Sequence, residues 1–441
     1  MNSPDKIEPK SGCMLTAILE EKSHDKLALD ILEASKWAKA IEWRFDRGVS
    51  YCPELRKLPS IFKILPSQVE LVAHTPEFVD IDHADLPRLL PKVRALSPKT
   101  KIITSYHNFE AMPDDLNALY KRLKALGGDE VKIAATPQSS CDALKLITFV
   151  KPDLTVVPMG RWGVFARLLA PICGQKRSYA LVKPSTLSQV GLMTFDEMES
   201  IYHRSRLSKK TKLFALIGSP LEQSFSHIAH NAYFRQEGID ALFVKIEVKP
   251  DELDDFMTYL PLFEGLAVTI PHKMKVGNYL KKGHPSTAIN TIFRGEGENT
   301  DGRAALDAIE ERVVVRDKKV VIFGAGGCAR AIAYEATLRG AQVTMLGRSV
   351  LKDIERLDGD ILVNATPCGM APYIGQSPIP LKLIQSHHLL FEAVARPKVT
   401  PFIRRGLDLH CSVVYGEEMF ERQAAFQRAI WRQSRRAPER V

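Results

Sequence analysis

Along the first 180 positions, short apolar runs alternate with stretches in which leucines recur every three or four residues. The runs MLTAILE (14–20), AIEWRF (40–45), SIFKIL (60–65), FVDID (78–82), KIITSY (101–106), EVKIAA (130–135), LTVVPM (154–159) and SYALVK (178–183) have the length and β-rich content of buried strands. Between them, Leu116, Leu119 and Leu123 mark an amphipathic helix over 114–125. Eight strands alternating with helices predict an α/β chain that opens with a (β/α)8 barrel. HRSRLSKKTK (203–212) is polar, basic and aperiodic, and reads as a linker. A fresh α/β pattern begins at LFALIGSP (213–220) and continues through FVKIEV (243–248) and GLAVTI (265–270) to a glycine-punctuated unit from Val320. The expected divisions are a barrel over 1–205, a smaller α/β domain over 206–303, a glycine-rich α/β domain over 304–415, and a final helix over 416–441 that packs back on the smaller domain.

Composition narrows the class. Apolar content of 45% and charged content of 26% are ordinary for a globular chain. The 61 basic and 52 acidic residues give a net +9 without a basic face interleaved with aromatics. Nucleic acid is therefore not an expected partner, and anionic small molecules explain the excess as well. Seven scattered cysteines without a CxxC pair argue against a disulfide framework or a metal site. No apolar stretch reaches membrane-spanning length, and the N-terminus lacks a secretory core, so a cytoplasmic location and no membrane are expected.

In KVVIFGAGGCARA (319–331) an apolar strand runs into Gly324-x-Gly326-x-x-Ala329 and a helix-forming segment. Glycines at these places let the backbone turn tightly against a dinucleotide pyrophosphate at a helix N-terminus. The next strand, QVTML (342–346), ends at LGRSVLK, which offers Arg348 and Lys352 and no acid. A guanidinium can bond the 2′-phosphate that a carboxylate would repel, so NADP(H) is the expected cofactor. The expected cofactor contacts are Gly324, Ala325, Gly326, Gly327, Cys328, Arg348, Ser349, Lys352 and Gly416.

Four polar, turn-rich stretches precede this unit: IGSPLEQSFSH (217–227), VTIPHK (268–273), AINT (288–291) and ENTDG (298–302). With VNATPCGM (363–370) they resemble the shikimate dehydrogenase family over 211–441. The resemblance implies a Rossmann NADP-binding domain beside a shikimate-binding domain, Lys273 and Asp301 as catalytic residues, and Ser224, Ser226, Thr269, Asn290 and Gln423 around the substrate. The residue types suit ketone reduction, since a lysine and a carboxylate can stabilise and protonate a forming alkoxide. Gln223 and His227 flank the serines where the family has histidine and proline, and Ala395 replaces a common tyrosine.

In the barrel, His107 ends one strand and Lys132 lies within the next, among Val131, Ile133 and Ala134. Burial there is expected to lower the lysine's pKa and free its amine for imine formation, with the histidine shuttling protons. These residues resemble the type I 3-dehydroquinate dehydratases over 14–200. EWRFD (42–46), GRWGVFARLL (160–169) and KPSTLSQ (183–189) then imply Glu42, Arg44, Arg167, Ser185 and Gln189 at the substrate. The family's arginine at the end of the third strand and its Glu-Gly-Gly loop are missing from SIFKILPSQVELVAH, where Lys63 is the nearest cation. Together the two halves resemble the bifunctional dehydratase–dehydrogenase of the shikimate pathway, with 3-dehydroquinate, 3-dehydroshikimate and shikimate as small-molecule substrates. No metal is implied, and the oligomeric state stays open. The alternatives are a dehydrogenase whose barrel is a weak or non-catalytic structural partner, and a nucleotide-sensing regulator without chemistry.

Overall fold

The computed structural model describes residues 12–347 and 356–432. The chain divides into two compact units, 1–213 with 231–246, and 214–230 with 247–441.

Eight strands form the sheet of the first unit: β1 (Met14–Leu19), β2 (Ala40–Arg44), β3 (Ser60–Lys63), β4 (Phe78–Asp82), β5 (Lys101–Asn108), β6 (Glu130–Ala135), β7 (Leu154–Pro158) and β8 (Arg177–Leu181). Their order is β7-β6-β5-β4-β3-β2-β1-β8, and the paired strands are parallel. β7 and β8 stand at the two ends of that order and approach each other, which gives a nearly closed barrel. Gln175 helps bridge the gap: it accepts from the Val156 N–H and donates to the Ile147 carbonyl. Alternation along each strand sorts the residues. Trp43 and Phe62 are fully buried, and Trp43 and Phe45 stack within an aromatic group that includes Phe62. Glu42 and Lys63, one position away, take the opposite face. Near the N-terminal strand ends, Glu130 receives Arg177 at 2.6 Å, and the guanidinium lies 4.0 Å from the Phe78 ring centroid.

The expected helix over 114–125 is observed at Leu116–Lys124 and starts where Asp115 accepts the Asn117 and Ala118 N–H groups. The segment read as a linker is anchored rather than loose. Arg204 is buried and donates to Ser178 Oγ at 2.8 Å, because a guanidinium inside needs polar partners. In the same unit, Asn231 clamps β10 (Ala241–Glu247), bonding both the N–H and the carbonyl of Phe243.

In the second unit, β9 (Lys212–Gly218) pairs in parallel with β11 (Gly265–Val268). β12 (Thr291–Phe293) runs antiparallel to β11 and to β13 (Glu296–Glu298). A second, wholly parallel sheet follows: β14 (Lys319–Phe323), β15 (Gln342–Leu346), β16 (Ile361–Asn364), β17 (Leu389–Glu392) and β18 (Ser412–Val414), in the order β15-β14-β16-β17-β18. Both faces are covered, as a parallel sheet requires. Val320 and Ile322 pack into one apolar cluster and Val321 and Phe323 into the other. The helix Gly416–Arg432 lies against the helix Asp301–Glu310 and reaches β12, where Gln427 and Trp431 donate to the Asn290 and Ile292 carbonyls.

Candidate active sites

In the barrel, the side chains of interest rise from the C-terminal parts of the strands, where enzymes of this architecture keep their chemistry. Lys132 on β6 is buried, with Nζ 2.9 Å from Asp80 Oδ2 and 3.2 Å from Glu42 Oε2. The Tyr179 ring centroid lies 4.5 Å from the same nitrogen. Burial alone would lower this lysine's pKa, but Asp80 and Glu42 outweigh it and the net shift is upward. This corrects the expectation of a free amine at rest, because the desolvation argument left out two carboxylates that strand pairing brings to the nitrogen. Asp80 itself is held well below the usual carboxylate range: burial pushes it up, and Lys132 and Lys63 more than reverse that.

His107 ends β5 with Nδ1 4.0 Å from Asp82 Oδ2, and its ring stacks near Phe109. Burial first, and then the charges of Lys63 and Lys132, lower its pKa to about 3, so at neutral pH the imidazole is a proton acceptor. Arg44 is held in a fork on Asp46 at 2.8 and 2.7 Å, with Glu42 at 3.9 Å. Arg167 is buried against the Pro158 and Val190 carbonyls, and that burial lowers its pKa to about 9. Among the described residues it has no carboxylate partner, which leaves its charge to attract an anion. Ser185 donates to Glu20 at 2.5 Å, and Gln189 is exposed on the turn Thr186–Val190. These two lie on the loop after β8, and no direct bond joins them to Lys132.

Sequence reasoning missed Asp80 and Asp82. Their signal was present: in FVDID, positions 78, 80 and 82 share one face of a strand, and two of the three are acidic.

The second unit assembles another lysine–carboxylate pair. Lys273 follows β11 in a short turn, and its Nζ lies 2.5 Å from Asp301 Oδ2. Burial pulls this lysine's pKa down, Asp301 more than compensates, and the net shift is upward. Asp301 opens the helix Asp301–Glu310, and its other oxygen accepts from Asn290 Nδ2 at 2.8 Å. Asn290 also donates to Thr300 Oγ1 and to Gln423 Oε1 at 3.2 Å, which joins three of the expected residues into one network. Ser224 Oγ and Ser226 Oγ are 3.1 Å apart. Thr269 follows the end of β11, bonded through its N–H to the Ile217 carbonyl.

The glycine turn sits where the strand order reverses beside β14, the crevice in which doubly wound sheets hold ligands. Gly324 has φ +118°, and a side chain there would meet the Ala365 carbonyl at 2.9 Å. Space beside Gly326 is open, with no atom within 4 Å of a Cβ position, and Ala325 is exposed next to it. Gly327 begins the helix Gly327–Leu338, whose leading N–H groups favour an anion. The turn therefore fits a pyrophosphate. It also abuts the lysine–carboxylate pair: a Cβ on Gly327 would lie 2.7 Å from Lys273 Cβ, and burial with the charge of Asp301 pushes the neighbouring Cys328 thiol up to about 12. Gly416 packs on the Val394 carbonyl and the Ala395 nitrogen. Arg348, Ser349 and Lys352 lie outside the described residues.

Comparison with known proteins gives these two constellations a family. Residues 67–209 match the model of type I 3-dehydroquinase, and residues 216–292 match that of the shikimate dehydrogenase substrate binding domain. The "Shikimate biosynthesis protein AroDE" of Chlamydia pneumoniae is 30% identical over 390 residues, covering 81% of this chain and 78% of the relative. The chain belongs to the bifunctional 3-dehydroquinate dehydratase/shikimate dehydrogenase family. The chloroplastic bifunctional enzyme of Arabidopsis thaliana is 28% identical over 400 residues, and the chain spans 66% of its length. The second half alone is 34% identical, over 245 residues and 92% of the relative, to the "Shikimate dehydrogenase (NADP(+))" of Ignicoccus hospitalis. The barrel match begins at residue 67, after β3.

Proposed function

We propose that Lys132 and His107 carry out one reaction, that Lys273 and Asp301 carry out the next, and that the product of the first is the substrate of the second. The chain is a bifunctional enzyme acting on small molecules of the shikimate pathway: it dehydrates 3-dehydroquinate to 3-dehydroshikimate and reduces that product to shikimate with NADPH. The observation that carries the assignment is the recurrence, once in each unit, of a lysine in direct contact with a buried carboxylate beside its expected partners.

In the barrel, Lys132 first passes a proton to a neighbouring base and attacks the substrate ketone. The carbinolamine loses water to give the imine, whose electron demand acidifies the adjacent C2–H. Neutral His107 takes that proton, and the C1–O bond breaks as the hydroxyl departs with a proton as water. Hydrolysis of the imine returns the amine and releases the enone. The Arg167 charge suits the substrate carboxylate.

In the second unit, Ser224 and Ser226 offer two hydroxyls to the carboxylate of 3-dehydroshikimate. NADPH supplies the hydride when bound, with Gly324, Gly326 and Gly327 accommodating its pyrophosphate. Lys273 donates the proton that the forming C3 alkoxide needs, and Asp301, fixed by Asn290, keeps the ammonium aimed and replenished. All seven cysteines are thiols, in keeping with a reducing, cytoplasmic setting. Among the described residues, no helix is long and apolar enough to cross a membrane.

The test is a coupled assay with 3-dehydroquinate and NADPH, together with borohydride trapping. Lys132→Ala should lose the covalent adduct and the coupled signal but still oxidise NADPH when given 3-dehydroshikimate. Lys273→Ala should show the reverse. A wild-type chain that forms no adduct would support the reading of the barrel as a structural partner.

A further inference from the structure

A second lysine stands beside the barrel amine, and the mechanism above leaves it idle. Lys63, the last residue of β3, places Nζ 2.5 Å from Asp80 Oδ1 and 2.9 Å from Ser105 Oγ. The other oxygen of the same carboxylate holds Lys132 at 2.9 Å. Asp80 is fully buried, so a single carboxylate is shared by two ammonium groups inside the barrel.

Resting on the imine reading, we propose that Lys63 is a positioning residue: through the shared carboxylate of Asp80 it offsets part of the anionic charge that holds the proton on Lys132, and so sets the lower pH limit of the barrel's activity.

The charges facing Lys132 make the case. Glu42 comes from β2 and Asp80 from β4, the Tyr179 ring from β8, and His107 from β5. Arg44 is engaged by Asp46, Asp82 lies against His107, and Arg177 is paired deeper down with Glu130. With Lys63 present, two carboxylates and two ammonium groups balance, and loss of the Lys132 proton leaves a single net negative charge rather than the two that would remain without Lys63. Without Lys63 the same cluster carries an extra negative charge, which is relieved by retaining a proton on Lys132 or adding one to His107. Both groups must be unprotonated for the reaction, the amine to attack and the imidazole to accept the C2 proton. The sign follows: a nearby positive charge disfavours protonation, so its removal moves the onset of activity to higher pH.

The experiment measures kcat/KM for dehydration and the yield of the borohydride adduct across roughly pH 5 to 10, for wild type, Lys63→Met and Lys63→Arg. Lys63→Met should move the acid limb of both profiles upward by about one pH unit or more, with activity recovering toward wild type above it. Lys63→Arg, which keeps the charge, should stay near the wild-type limb. Should the methionine variant not fold, Lys63→Gln keeps a hydrogen bond to Asp80, drops the charge and should show the same upward move. A uniform loss at every pH with the limb unmoved would overturn the proposal, as would an arginine variant displaced as far as the methionine one. Wild type without an adduct at any pH would refute the imine reading itself. An adduct in wild type with unmoved limbs in the variants would refute only the role of Lys63.

Discussion

Replacing Gly327 with alanine isolates the contact between the glycine turn and the Lys273 side chain, the amine proposed to protonate the alkoxide. The added Cβ would stand 2.7 Å from Lys273 Cβ and 3.2 Å from its Cδ. Carbon atoms sit comfortably at roughly 3.5 Å or more, so one partner must retreat by about 0.8 Å. The Lys273 carbonyl is fixed by the Ile289 N–H at 2.8 Å, and the Lys273–Asp301 contact is already 2.5 Å. The displacement therefore falls on the ammonium or on the helix N-terminus that would face the cofactor. A misplacement on the order of 1 Å can cost 10²-fold in rate, and Gly327→Ala should lower reductase kcat by about 10- to 100-fold. The backbone of this residue is not left-handed, and alanine is the better helix former by up to about 1 kcal/mol, so the fold should survive. NADPH oxidation with 3-dehydroshikimate gives the reductase kcat and KM, and the dehydratase rate of the same preparation is the internal control. A reductase kcat within about twofold of wild type would refute the steric argument. So would a parallel fall in both activities, which would point to general unfolding.

Two further outcomes follow from buried charges. Glu130→Ala strands Arg177, which is only 1% exposed and loses its 2.6 Å partner; the barrel should lose about 3 kcal/mol or more in denaturant unfolding, and a cost below about 1 kcal/mol would contradict it. Glu392 is fully buried among donors from Asn364, Val394 and Thr400, and burial raises its carboxyl to about 7. A raised folded pKa means stability that is complete below the unfolded value of 4.5 and is lost as pH rises through about 7. Wild type should thus lose up to roughly 3 kcal/mol between pH 5 and 8 relative to Glu392→Gln, and parallel stability curves for the two would refute it.

The strands of the barrel were legible because each is a short apolar run closed by polar residues; FVDID and EVKIAA match β4 and β6 residue for residue. The lysines were also legible as candidates, since a charge inside such a run is conspicuous. Their protonation was not. It depends on which side chains neighbouring strands bring opposite one another, as when pairing sets Lys63 against Asp80 and Ser105 against Lys132. Local sequence gives strand and face, but it does not give the register between segments dozens of residues apart. Arg204 misled for a related reason: its polarity read as linker, while Ser178 waited inside as its partner.

The contacts of the last helix carry a consequence for how the reductase half matures. Gln423 and Gln427 prop Asn290 from 133 and 137 positions downstream. During synthesis Asn290 leaves the ribosome long before either glutamine, so the pocket around Asp301 waits, half-built, for its final brace. Proteolytic trimming inside that helix would remove both braces from Asn290 at once.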